Sequence, residues 1–164
     1  MKIKSFSKIN LTLRVLKKLK NGMHNIESNS VLVDLFDEIS IKKNDRDIII
    51  FKGKFKEKIN PKKNTVTETL QLLRKFKVLK NFYKIIVKKN IPIYAGLGGG
   101  TSNSVSIIKY FLKNKLDKKL ISYSEQKIGS DFRLFLNNCS FQKNLGKVFN
   151  TKNNILLPIL IAFP

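Results

Sequence analysis

Residues 91–104 read Ile91-Pro92-Ile93-Tyr94-Ala95-Gly96-Leu97-Gly98-Gly99-Gly100-Thr101-Ser102-Asn103-Ser104. Four of the five positions 96–100 are glycine, and the absent side chains let backbone N–H groups approach an anion closely. Val105, Ile108, Phe111 and Leu112 follow at helical spacing, so the glycines open a helix whose dipole favours negative charge at that end. Residues 82–87, ahead of the loop, read as a strand. Strand, glycine loop and helix in that order make a phosphate cradle. The loop lacks the Gly-Lys-Ser/Thr of a Walker motif, and Thr101 stands where a dinucleotide fingerprint needs its last glycine. A flexible turn is the plain alternative, but turns rarely need four glycines beside two hydroxyls and a helix start.

Upstream of the loop, residues 5–16 alternate, with Ile9, Leu11 and Leu13 on one side and Lys8, Asn10 and Thr12 on the other. That is the period of a half-buried strand, and it points Lys8 and Asn10 the same way. Lys20-Asn21-Gly22 is a turn signal, after which residues 26–35, 38–42 and 47–51 read as further strands of a mostly antiparallel sheet. Thr65-Val66-Thr67-Glu68 has the form of a capping box, and Val66, Leu70, Leu73 and Phe76 then recur as one apolar helical stripe. Downstream, a helix over 118–128 is expected to stop at Gly129 in a left-handed position, with a short apolar segment carrying Phe132, Leu134, Phe135 and Leu136. Residues 155–162 read as a last strand. The pattern is that of an α+β fold.

The chain has 164 residues, enough for one packed core, and 42% hydrophobic residues with which to fill it. Lys and Arg total 33 against 11 Asp and Glu, a net charge of +22 that attracts polyanions. The cations are nearly all lysines dispersed among Asn and Ile, as codon bias in an A- and T-rich genome would produce, and they form no arm or tail. A basic nucleic-acid-binding module is the rival reading. Against it, Phe51, Phe55, Phe76 and Phe82 sit in core-like runs and build no stacking platform. The single Cys139 fits a reducing compartment, and no apolar run reaches the ~20 residues of a membrane helix, so a cytoplasmic protein with no nucleic-acid or membrane partner is expected.

The stretch from Pro92 to Ser104 resembles the ATP-binding motif of the GHMP kinases, Pro-x-x-x-Gly-Leu-Gly-Ser/Gly-Ser/Gly-Ser-Ser. Three other segments agree with the branch of that family that phosphorylates diphosphocytidyl-methylerythritol on the non-mevalonate route to isoprenoids. Ser7-Lys8-Ile9-Asn10-Leu11 is similar to its Ala-Lys-Leu-Asn-Leu, Asn21-Gly22-Met23-His24 to its Asp-Gly-Tyr-His, and Gly129-Ser130-Asp131 to its Gly-Ala-Asp. The four occur in family order, so the resemblance spans the chain.

The resemblance implies a GHMP N-terminal domain of the ribosomal protein S5 domain 2-like type over residues 1–150, with helices packed on one face of the sheet. Residues 151–164 would begin a C-terminal domain, and a chain that is a fragment of a longer protein is expected. The implied cofactors are ATP and magnesium, the latter carried by ATP with no protein ligand set and possible contacts from Ser102 or Ser104. Pro92, Ile93, Tyr94, Ala95, Gly96, Leu97, Gly98, Gly99, Gly100, Thr101 and Ser102 would bind the nucleotide.

In the same resemblance Asp131 would be the base that accepts the alcohol's proton, and Lys8 would keep it ionised and compensate phosphate charge. Asn10, Met23 and His24 would meet a cytidine diphosphate-linked polyol. Two positions depart from the family. Met23 replaces a tyrosine expected to stack on cytosine, and methionine packs on a base without an aromatic face. Arg133 replaces a proline and brings a charge near the site, where it could reach phosphate or reflect relaxed selection. A homoserine- or mevalonate-type kinase and an inactive truncated homologue are the other readings within the family.

Overall fold

A computed structural model describes residues 2–19, 22, 24–57, 59–113, 115–144, 147–151 and 158–162. Six strands form one sheet: β1 (Lys2–Lys18), β2 (His24–Asn44), β3 (Ile48–Lys52), β4 (Phe82–Lys88), β5 (Cys139–Asn144) and β6 (Lys147–Asn150). Their order is β3-β4-β2-β5-β6, with β1 paired to β2. The β3–β4 pair is parallel and the others are antiparallel. The helices are α1 (Thr65–Lys75), α2 (Gly99–Leu112) and α3 (Lys118–Lys127), followed by a 3-10 helix, Ser130–Leu136.

The core lies between one face of the sheet and the helices. Ile39 and Ile41 of β2 and Ile85 and Val87 of β4 alternate onto that face, where they meet Val66, Leu70 and Leu73 of α1 and Val105, Ile107 and Ile108 of α2. Each such side chain, at most 4% exposed, contributes about 1.5–3 kcal/mol by leaving water. The expected apolar stripe of α1 is therefore the stripe that is buried, although Phe76 is its C-cap and only partly covered.

The cap itself is displaced by one residue. Asn64, not Thr65, is the N-cap, and its Oδ1 accepts from the backbone N–H of Thr67 at 2.9 Å. Asparagine is as good a cap as threonine, and local sequence does not choose between neighbours. The two strands expected at 26–35 and 38–42 are one. Between the Phe6–Phe36 and Ser7–Val33 pairs, β2 carries extra residues as a bulge, so the strand bends without ending. Beyond the bend it changes partners, from β5 at Ser28–Val31 to β4 at Glu38–Asn44.

Gly129 also differs from expectation. Its φ of 154° and ψ of 149° lie in the extended glycine-only region, not in the left-handed helical one. Residues 155–157 of the expected last strand lie outside the described residues, and 158–162 are not in a strand. The half-buried character expected of residues 5–16 holds only for the inner half of β1, since Leu11 is 46% and Leu13 56% exposed. Alternation identifies a strand, but not what covers it.

Candidate active site

The first turn of α2 is unlike those of its neighbours. Asn64 caps α1 and Asp117 caps α3, whereas the N-cap of α2 is Gly98, at φ 68°, and among the described residues no side chain caps the helix. Its first backbone N–H groups are those an α-helix cannot satisfy internally. They border a cavity of about 420 Å³ lined by every residue from Pro92 to Thr101.

The glycines shape this corner in different ways. A Cβ on Gly98 would stand 2.5 Å from the Phe135 ring, and one on Gly99 3.0 Å from the Ile91 side chain. One on Gly96, at φ 73°, would meet nothing within 4 Å. The cavity also holds Asn103, which is 2% exposed, and whose Oδ1 has no partner among the described residues. An orphaned acceptor so deeply buried costs stability unless a ligand satisfies it. Uncapped amides at a corner built on glycines fit the phosphates of a nucleotide, whereas Asn103 Oδ1, an acceptor, suits a donor group such as an amino or hydroxyl.

Beside the loop stands Lys8. Its backbone N–H donates to Leu97 O at 3.1 Å, and its Cγ is 3.5 Å from where a Cβ of Gly98 would be. The side chain is almost fully buried, and Nζ lies 3.2 Å from Asp131 Oδ2 and 2.9 Å from Asn10 Oδ1. Ser30 Oγ, on β2, donates to the same Asn10 oxygen at 3.3 Å. Asp131 lies in the first turn of the 3-10 helix and keeps 37% of its side chain exposed, so it is paired yet open to a ligand. Gly129 brings this segment against α2, where its Cβ position is 3.2 Å from Thr101 Oγ1.

A second tie secures the far end of the 3-10 helix. Lys109 of α2 donates from Nζ to Phe135 O at 3.0 Å and to Leu136 O at 3.1 Å. Burial holds this ammonium below the usual lysine range. The glycine loop, Lys8, Asn10 and Asp131 thus share one corner.

Other expected residues do not join them. Ser102 Oγ contacts Phe6 O at 2.5 Å and Ser5 Oγ at 2.8 Å, and Ser104 Oγ donates to Thr65 O and Gly100 O at 3.2 Å each. Both hydroxyls are consumed in packing α2 against its neighbours. Thr101 lines the cavity; Ser102 and Ser104 are not among its lining residues. Arg133 Nε donates to Glu125 Oε1 of α3 at 2.5 Å, and Arg133 is not among the residues that line the cavity. His24 is exposed at the start of β2, opposite Lys18. It lies six residues along the strand from Ser30, the partner of Asn10, or about 20 Å at the usual rise. Met23 lies outside the described residues.

Sequence reading missed Asn64, Thr65 and Lys89 as lining of the cavity, where Lys89 and Thr65 lie against Gly99 and Gly100. The Lys-Asn ahead of Ile91-Pro92 carries no periodic signal, and only the fold shows where it points.

Residues 64–132 match the family described as the GHMP kinases N terminal domain. The chain is 39% identical over 173 aligned positions, 99% of its own length, to the 4-diphosphocytidyl-2-C-methyl-D-erythritol kinase of Pelagibacter ubique. It is 41% identical over 142 positions, 83% of its length, to the enzyme of that name from Ureaplasma parvum. It spans 60% and 53% of the lengths of those two relatives.

Among solved structures, a 4-(cytidine 5'-diphospho)-2C-methyl-D-erythritol kinase superposes with a TM-score of 0.73 at 20% identity, over 92% of this chain and 55% of the other. The Methanococcus jannaschii mevalonate kinase gives 0.62 at 22% identity, over 93% and 56%. At such identities the superpositions establish the fold. Sequence match, fold and motif order agree: the chain belongs to the GHMP kinases and carries the N-terminal domain of that family.

Proposed function

We propose that this chain provides the nucleotide-binding and catalytic half of an ATP-dependent kinase acting on the 2-hydroxyl of 4-diphosphocytidyl-2-C-methyl-D-erythritol, in non-mevalonate isoprenoid synthesis. One observation carries the reading: the Lys8–Asp131 pair, 3.2 Å apart, stands against the uncapped glycine end of α2. Phosphoryl transfer needs little covalent chemistry from a protein, and depends on positioning and on compensating charge.

The amides at the start of α2 would hold the phosphates of ATP, and Lys8 Nζ would face the transferring group. Asp131, open on one side, would accept the proton of the attacking hydroxyl. Magnesium, bound through the nucleotide's phosphates, would neutralise developing charge. Asn10, fixed by Lys8 and Ser30, would touch the diphosphate of the acceptor. Met23 and His24 would serve its cytidine end, as the family resemblance implies. Among the described residues no helix is long and apolar enough to cross a membrane, and cytoplasmic work on small molecules suits this reading.

The identity to relatives that bear this enzyme name favours this acceptor. Likeness to mevalonate kinase in fold favours, as a second reading, another GHMP alcohol substrate. The test is incubation of the full-length protein with Mg-ATP and a panel of diphosphocytidyl-methylerythritol, mevalonate and homoserine, followed by separation of products. ADP and a 2-phosphate formed only with the first acceptor support the proposal. ADP formed only with another acceptor transfers it to that substrate, and no ADP with any of them refutes it.

A further inference from the structure

Beneath the glycine loop lies an ion pair that the chemistry above does not use. Lys89 Nζ is bonded to Asp37 Oδ2, with the two side chains only 4% and 0% exposed. The other oxygen of Asp37 accepts two backbone N–H groups, from Asn90 at 2.8 Å and Ile91 at 2.9 Å. Asn90 Nδ2 donates to Phe36 O at 3.0 Å, and Lys89 N to Lys52 O at 2.7 Å. Residues 89–91 are thereby fixed to β2 and β3 just before the chain enters the loop. The same residues touch the start of α2, for a Cβ on Gly99 would stand 3.0 Å from Ile91 and 3.2 Å from Lys89 Nζ. Lys89 also lines the nucleotide cavity.

A buried ion pair is poor at stabilising a fold, because desolvation offsets most of its attraction. Its worth lies in geometry, and here every bond of the Asp37 carboxylate goes to the segment that leads into the loop. The loop's other end is held by Lys8 N on Leu97 O. Between these anchors Tyr94 is 89% exposed with a φ of 63°, so the shape of the stretch is set from its ends.

We propose that Asp37 is a positioning residue for the nucleotide: it holds Lys89 and the 89–91 lead-in so that the glycine amides and a buried ammonium are preset to receive phosphate. This inference rests on the nucleotide reading above. Asp37 touches no substrate in it, and acts only through the residues it binds.

The test uses the full-length protein and calorimetric titration with Mg-ATP and, separately, with diphosphocytidyl-methylerythritol, for wild type, Asp37→Asn, Lys89→Met and the double variant Asp37→Leu/Lys89→Met. Removing both charges avoids leaving either one buried alone, and a thermal scan of each variant identifies those that are folded. Loss of bonds to a charged group predicts ATP affinity weakened by about tenfold or more in each folded variant, with the cytidine ligand held within about twofold of wild type. A purely structural pair lowers the melting temperature and leaves the ATP-to-cytidine affinity ratio unchanged, which overturns the proposal. Wild type that binds ATP while the folded double variant binds it equally well overturns this inference alone. Wild type that binds no ATP overturns the nucleotide reading and this inference together.

Discussion

The inner and outer halves of the β1–β2 ribbon share one strand pair but not one environment. In the inner half Ser5, Ser7 and Lys8 are buried, Ser102 packs on Phe6 O, and Lys8 reaches both the glycine loop and Asp131. In the outer half Leu13 and Val15 are 56% and 59% exposed, and His24 is exposed opposite Lys18. The contrast separates two tasks. Where the helices cover the ribbon, side chains are fixed, as the proposed phosphoryl transfer would require. Where no described helix covers it, the ribbon is open, and the proposed function assigns this surface to the second substrate.

Breaking the inner half should cost most. Asp131→Asn removes the proposed proton acceptor and should lower kcat by about 10²–10⁴-fold, with the ATP dissociation constant little changed; steady-state assay beside ATP titration checks both. Lys8→Met strips Asp131 and Asn10 of their shared cation, and should lower kcat by about 10²–10³-fold, as loss of a preorganised charge partner does.

Gly98→Ala probes the packing of the same corner. Its Cβ would stand 2.5 Å from the Phe135 ring, at a φ of 68°. Overpacking of this kind costs about 1–3 kcal/mol, so the melting temperature should fall, and a thermal scan will show it.

Substitution in the outer half should sharpen the contrast. His24→Ala should raise KM for the cytidine substrate by about two- to tenfold, the worth of roughly one hydrogen bond, and leave KM for ATP unchanged. A comparable rise for ATP would erase the distinction between the halves.

The smallest effect concerns an exposed pair next in sequence to Asp37 and Lys89. The hydrogen bond and charge of Lys88 hold the Glu38 carboxyl below the ordinary glutamate range, with Lys2 and Lys4 adding to the field. Since the folded value is the lower one, this pair supports the fold above the ordinary glutamate value, and its support is lost as pH falls through the lowered one. An NMR titration should show the Glu38 midpoint rise in Lys88→Met, with kcat unaffected.

What sequence could reveal divides along similar lines. The glycine loop and the stripe of α1 announce themselves because each depends on residues within one or two turns of one another. Lys8 and Asn10 were placed on one side by simple alternation, and Lys8 Nζ does bond Asn10. The bulge opposite Phe6 was not legible, because Asp34 and Leu35 interrupt no local pattern and matter only against the register of β1. The Asp37–Lys89 and Arg133–Glu125 pairs were hidden for a related reason. The first joins residues 52 apart in sequence, and the second needs α3 and the 3-10 helix folded side by side. Periodicity likewise gave no sign that the outer half of β1 would stand exposed, since it records alternation and not cover.

A crystal structure of the protein with a non-hydrolysable ATP analogue tests most directly whether bare amides at the start of α2 hold a nucleotide next to Asp131. The phosphate chain should lie against residues 96–101, with its terminal group directed toward Lys8 Nζ and the open side of the Asp131 carboxylate. Phosphates bound elsewhere on the protein, or a terminal group turned away from Asp131, would contradict it.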